Sequence, residues 1–325
     1  MQRGMSTSVM LGPGIGFACV VLSGGVPAFT RNVNLGHGVV VVSQSPFLPD
    51  ASWTRMLGTV FGEAVAKSKC ILVATAPAPV AIGAVTSGLR QTAALAYGAL
   101  ALACGPAGGP TYTITGSNSG NAPTVSKVGL FPVYLHAAGS RTCKWTPSLI
   151  KSSTSVFDGM VDADGAGNAS RRLRRGINAL LSALSSTVLQ DRLHGHVRAL
   201  EALLDVPQYK GSKEFAKRMQ SLCSCRSHSA ETFEGLYILR NKIEHMCDPE
   251  EAFPSLSDDQ FKAYIEAQTR LAERASLGVY RRVLAKPSLR AIFGDVSRLD
   301  SFWASTGPDR QHLWGKTVYV DGRRG

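Results

Sequence analysis

The chain has 325 residues, length enough for two domains that each bury a core, and a formal net charge of +12. Its seven cysteines are odd in number and lack framework spacing, which sets aside a disulfide scaffold and suggests reduced thiols in a cytoplasm. No uninterrupted apolar core precedes Gly12-Pro13-Gly14, so the start is not read as a signal peptide, and the longest apolar run, Thr92–Cys104, is too short to span a bilayer. A basic balance favours polyanionic partners, nucleic acid foremost. The charge is unevenly spread. Residues 1–150 hold nine Lys/Arg and two Asp/Glu, whereas residues 151–325 hold twenty-six and twenty-one. This shift predicts an α+β protein of two domains: a β-rich one over 1–160 and an all-helical one over 165–325. The expected boundary lies in Asp162–Ala169.

In chain order, short apolar runs at Ser8–Leu11, Phe17–Leu22 and Gly38–Val42 alternate with Gly and Pro and predict strands separated by turns. Trp53–Ala66 reads as a helix, Cys70–Thr75 as a strand and Leu89–Ala103 as a buried helix. Thr111–Thr115 and Val128–Leu135 return to strand character, with a polar Ser117–Asn121 loop between them. Gly12-Pro13-Gly14-Ile15-Gly16 has glycines at alternate positions but no following helix, so it carries little weight as a nucleotide loop.

From Arg171 the apolar period becomes helical. Leu173, Ile177, Leu180, Leu181 and Leu184 mark one helix, and Leu193, Val197, Leu200, Leu203 and Leu204 a second, with Pro207 beyond. Phe215–Leu222 is a third. The fourth runs over Ala230–Asp248, with Phe233, Leu236, Tyr237, Leu239, Ile243 and Met246 on its apolar face, Ser229 as N-cap and Pro249 as stop. Ser257 and Gln260 have capping-box spacing before a long helix from Asp258 to about Leu284. Shorter helices are expected over Ser288–Phe293 and Val296–Trp303.

The fourth helix carries the densest chemistry. Asn241 and His245 are four apart and share a face; Arg240 and His245 are five apart, about 140° around an ideal helix, so only a long side chain brings the two heads to one point. Arg240-Asn241-Lys242-Ile243-Glu244-His245 resembles the Arg-Asn-x-x-x-His signature of the HEPN superfamily, a group of all-helical domains with many metal-independent ribonucleases. The Arg198-Ala199-Leu200-Glu201 run, followed by Phe215–Arg218 and Leu236–His245, is similar in order and spacing to bacterial HEPN domains of the ApeA-like type. The resemblance covers residues 170–285; residues 1–150 resemble no family. It implies an endoribonuclease that needs no metal or other cofactor, acts on RNA as a homodimer with two motifs at one cleft, and works as a toxin-like effector in bacterial stress response or antiviral defence.

Cleaving RNA without a metal requires that the 2′-OH lose a proton, the phosphorane charge be stabilised and the 5′-oxygen gain a proton. Histidine suits the proton work, and arginine suits the phosphate because its planar fork binds two oxygens and stays charged. The catalytic residues are therefore expected to be Arg240, Asn241 and His245, with head groups facing a cleft and Arg198, Glu201 and Glu244 in support. The plainer readings stand beside this one. Arg240 and Glu244 are an i,i+4 pair on a solvated helix end, and Arg198 and Glu201 suit an interior ion pair equally well. Arg171, Arg172, Arg174 and Arg175 open the first bundle helix and are expected to contact the RNA backbone or simply to be solvated. His194 and His196 are two apart, on nearly opposite faces, so a shared metal is not expected. Cys223, Cys225, His228 and Cys247 lack a standard zinc spacing and read as a plain loop whose cysteines are free thiols.

Overall fold

The computed structural model describes residues 11–22, 32–43, 51–68, 70–77, 82–105, 111–120, 123–130, 145–167, 170–206, 211–225, 229–245, 253 and 256–320. The fold is α+β, and the chain divides into two compact units, Met1–Val161 and Asp162–Gly325.

The first unit is built on six strands: β1 Ile15–Leu22, β2 Val33–Gly36, β3 Val39–Val42, β4 Ile71–Pro77, β5 Thr111–Asn118 and β6 Thr124–Leu130. They lie in the order β2-β3-β4-β1-β5-β6, every neighbour antiparallel. Central β1 is buried from Gly16 to Leu22 because the sheet is covered on both faces. Phe17, Cys19 and Val21 join Ile71, Val73 and Ile114 in one cluster with Phe61 and Val65 of α1 (Ala51–Lys67). Helix α2 (Ile82–Cys104) packs on β1, β4 and β5, and its buried alanines 93, 96 and 99 allow close approach. Two-sided burial replaces the alternation of a half-exposed strand with a continuous apolar run. Two short helices follow, α3 Pro147–Ser152 and α4 Thr154–Gly165.

Several expectations are adjusted here. β2 is an additional strand, joined to β3 by a two-residue turn in which His37 and Gly38 both have positive φ (49° and 72°), the pattern of a type I′ hairpin. Gly38 is required there, since a Cβ would lie 2.5 Å from the Thr75 carbonyl oxygen. α1 is kinked at Gly58 (φ 71°). β5 runs on to Asn118, into the expected loop. Strand character begins at Thr124 rather than Val128, and residues 131–135 lie outside the described residues, as do 8–10. The expected linker is helical as far as Gly165.

The second unit is mostly helical: α5 Arg171–Ser185, α6 Leu189–Leu204, α7 Gly211–Leu222, α8 Ser229–Glu244, α9 Asp258–Ala285, α10 Pro287–Phe293, α11 Val296–Ala304 and α12 Gly307–Trp314. Helices α5 and α6 form a hairpin across Ser186–Val188, and α9 packs along α6. Glycine sets the closeness of the α5 crossing. A Cβ on Gly176 would fall 1.8 Å from the Tyr280 hydroxyl and 2.9 Å from the Ala202 methyl. Tyr280 uses that hydroxyl to donate to the Ala199 carbonyl at 2.7 Å. The predicted capping box opens α9: the Ser257 amide donates to Gln260 Oε1 at 2.9 Å and the Gln260 amide to Ser257 Oγ at 3.5 Å. Two short parallel strands, β7 Cys223–Ser224 and β8 Val318–Tyr319, pair behind the helices.

Candidate functional site

Helix α8 presents the motif by burying the residues just before it. Phe233, Leu236 and Leu239 are in the core, and Arg240 follows Leu239 inward, with 9% of its surface exposed. An arginine so enclosed needs acceptors for its donors. Nη2 donates to Glu201 Oε2 of α6 at 2.8 Å, and Nη1 donates to Asn241 Oδ1 at 2.7 Å and pairs with Glu244 one turn on. The guanidinium also lies 5.9 Å from the centre of the Tyr237 ring. Its Nε is buried without a hydrogen-bond partner among the described residues.

The expected site residues therefore fall into two groups. Arg240, Asn241, Glu244 and Glu201 form one network at the α6–α8 contact. His245, one residue past the helix, is exposed; its amide donates to the Asn241 carbonyl at 3.0 Å, and its ring joins none of those bonds. The Arg240 head is largely enclosed against α6, where it meets Glu201. Among the described residues Glu201 takes its ion pair from Arg240, across helices, and not from Arg198, three residues before it on the same helix. Burial pushes the Glu201 carboxyl above the ordinary carboxylate range, with the Arg240 and Arg198 guanidiniums pulling it back.

Beside this network, α5 and α6 wall a cavity of about 820 Å³. Arg171, Arg172 and Arg175 line it from α5, and Arg198, Glu201 and Asp205 from α6. Of the four arginines at the start of α5, three thus face the cavity, while Arg174 turns away to donate to the Asp164 carbonyl at 3.5 Å. Arg172 is paired with Asp205; Arg171, Arg175 and Arg198 form no ion pair among the described residues. Four guanidiniums against two carboxylates leave the cavity positive. Ala179, Ala202, Val206 and Val296 supply apolar wall. A phosphodiester chain suits such a place electrostatically. Glu201 belongs to both features, since it lines the cavity and holds Arg240.

The two α6 histidines have separate settings. His196 is fully buried; its Nδ1 lies 2.9 Å from Ser276 Oγ, and its Nε2 has no hydrogen-bond partner among the described residues, with Glu273 4.0 Å away. Arg192 bonds that same carboxylate at 2.7 Å. Burial, reinforced by Arg192, drives the His196 imidazole down to about 3, so it is a neutral core residue. His194 is half-buried. Burial first, then the Arg240 guanidinium, lower it from the usual imidazole value; Glu244 opposes, Arg198 adds to the lowering and Asp191 opposes. Sequence reasoning missed His194 as part of this site, although its spacing of four and seven from Arg198 and Glu201 put all three on one face of α6.

Cys223 is enclosed in β7, and burial raises its thiol to about 12, far from a reactive or ligating thiolate. His228 and Cys247 lie outside the described residues. Among the described residues no His, Cys, Asp and Glu side chains group as a metal site, and no helix is long and apolar enough to cross a membrane. No protein-family model matches the chain, and comparison with curated proteins and with solved structures likewise returns no match.

Proposed function

We propose that the helical unit is a HEPN-type endoribonuclease that cuts RNA by 2′-OH attack without a metal, as a homodimer, in bacterial defence or stress response. One observation carries the reading. A guanidinium in a prearranged cradle, Arg240 between Glu201, Asn241 and Glu244, sits one turn before an exposed histidine and beside an arginine-lined cavity. In this reading RNA phosphates lie along Arg171, Arg172, Arg175 and Arg198. Arg240 stabilises charge at the scissile phosphate, and His245 transfers a proton. The test is purified full chain with RNA and with DNA of the same sequence, with EDTA present. RNA is expected to be cut and DNA left intact, because DNA lacks the 2′-OH nucleophile. His245→Ala should lower the rate by ~10²–10⁴-fold. Cleavage that stops on chelation, or survives His245→Ala at full rate, would sink the proposal.

A second reading also has an observation behind it. Glu201, Asn241 and Glu244 all engage Arg240, the arrangement of an ion-pair network that fixes two helices. That favours a non-catalytic module that binds RNA or a nucleotide, or that serves oligomerisation. RNA bound but never cut by the wild type would decide for it.

A further inference from the structure

The proposed reaction moves two protons, one off the 2′-oxygen and one onto the 5′-oxygen, and the motif supplies one histidine. Helix α6 carries another, His194, with the motif residues Arg240 and Glu244 among its charged neighbours. His194 is seven residues before Glu201, within about 20° of it around the helix axis, with Arg198 on the same stripe. Glu201 is where Arg240 docks, so His194 shares the α6 stripe that receives α8 at Glu201. The α8 groups that act most strongly on His194 are Arg240 and Glu244, one turn apart at the motif end, and Glu244 is the neighbour of His245. His194 is half-buried and, among the described residues, forms no side-chain hydrogen bond or ion pair, unlike His196, which Ser276 and the core hold.

We propose that His194 is the second proton-transfer group of this site, the general base that activates the 2′-OH. This rests on the ribonuclease reading and adds a residue to it. The neutral His194 imidazole takes the 2′-OH proton as the 2′-oxygen bonds to phosphorus. The bond from phosphorus to the 5′-oxygen then breaks, and His245 gives that oxygen its proton. The products are a 2′,3′-cyclic phosphate and a free 5′-hydroxyl, and no oxidant, reductant or metal enters. The charged groups around His194 are Asp191 and Arg198 on its own helix and Arg240 and Glu244 on α8. Burial first, and then the nearby guanidiniums, favour the neutral ring, the form a base needs. The two histidines then divide the work within one chain, whatever the second motif of a dimer adds.

The test separates base from acid by the leaving group. Full-length wild type, His194→Ala and His245→Ala are assayed on an RNA oligonucleotide and on a nucleoside 3′-(4-nitrophenyl phosphate), whose leaving group needs no proton. On RNA both variants should fall by ~10²–10⁴-fold. On the nitrophenyl ester His245→Ala should recover to near the wild-type rate, whereas His194→Ala should stay low and lose the acid limb of its pH–rate profile. Added imidazole should partly restore His194→Ala. Thermal unfolding of each variant establishes that it is folded, and His194→Gln, which keeps size and polarity without basicity, replaces the alanine variant if that one is not. A folded variant at position 194 that turns over the nitrophenyl ester at the wild-type rate overturns the assignment and leaves the ribonuclease reading standing. A wild type that cleaves neither substrate overturns both.

Discussion

Arg240 is where local pattern and tertiary setting part company. Its motif neighbours are evident from the order of residues, and so is its i,i+4 pairing with Glu244. Its docking on Glu201, 39 positions earlier, depends on α6 and α8 meeting, which no local pattern encodes. The same docking changes what substitution should do. With only 11% of the side chain exposed, Arg240→Lys should cost stability as well as activity, because an ammonium cannot serve Glu201, Glu244 and Asn241 from one rigid fork. A loss of about 1–2 kcal/mol in urea unfolding is expected, discounted because Glu244 is partly solvated. His196 gives a prediction of another kind. Its imidazole is held at about 3 in the folded chain, against an ordinary value of 6.5 when unfolded. The unfolded state therefore binds the extra proton, so stability is full above pH 6.5 and falls as pH drops towards 3, by about 1.4 kcal/mol per unit from this residue. Urea midpoints at a series of pH values should show that slope, and His196→Gln should flatten it.

At the scale of elements, strongly periodic segments were legible and weakly periodic ones were not. Helices α5, α6, α7 and α9 show their apolar stripes directly, and the Ser257–Gln260 box marks where α9 starts. That cap is testable alone. Ser257→Ala removes the acceptor for the Gln260 amide and should lower stability by about 1 kcal/mol, read as a drop in the thermal midpoint of the helical unit. Helix α4 was missed because Ser, Thr, Asp and Gly dominate it, and its buried Val156, Phe157 and Met160 are too few to set a period. Helix α12 was missed because Gly307-Pro308 looks like a break. Yet proline in the first turn costs no hydrogen bond, and Thr306 caps the start through the Asp309 amide. Strand β2 escaped because four residues pairing through a tight turn leave almost no alternation to read.

For the whole molecule, the change in charge density along the chain and the division into two compact units fall close together, near residue 162. The charge-poor half is a sheet covered on both faces, and little charged surface is needed along strands buried on two sides. The charged half is built of helices that each keep one face in water. Residues 162–325 expressed alone should fold, giving strong helical circular dichroism and a cooperative thermal transition. An insoluble product without that signal would show that the helical half depends on the rest. The cavity arginines, by contrast, were legible as a cluster but not as a wall, since only the α5–α6 hairpin brings Arg198 beside them.

The small β7–β8 pairing has a consequence for how this unit opens. Thr317 Oγ1 donates to Ser224 Oγ at 2.9 Å across 93 residues, the Val320 amide to the Ser224 carbonyl at 3.0 Å, and the Trp314 indole to the Leu222 carbonyl at 3.1 Å. Val318 also fills the space over Gly278, where a Cβ would meet it at 2.4 Å. Helices α8 to α12 are thus one long excursion of chain closed by a clasp, and the motif helix lies inside it. Segments closed in this way tend to exchange their amide hydrogens as one cooperative unit. The amides of α8 should therefore share the opening free energy of the clasp, and a cut or substitution at Val318 should quicken exchange in α8 while leaving the sheet of the first unit unchanged.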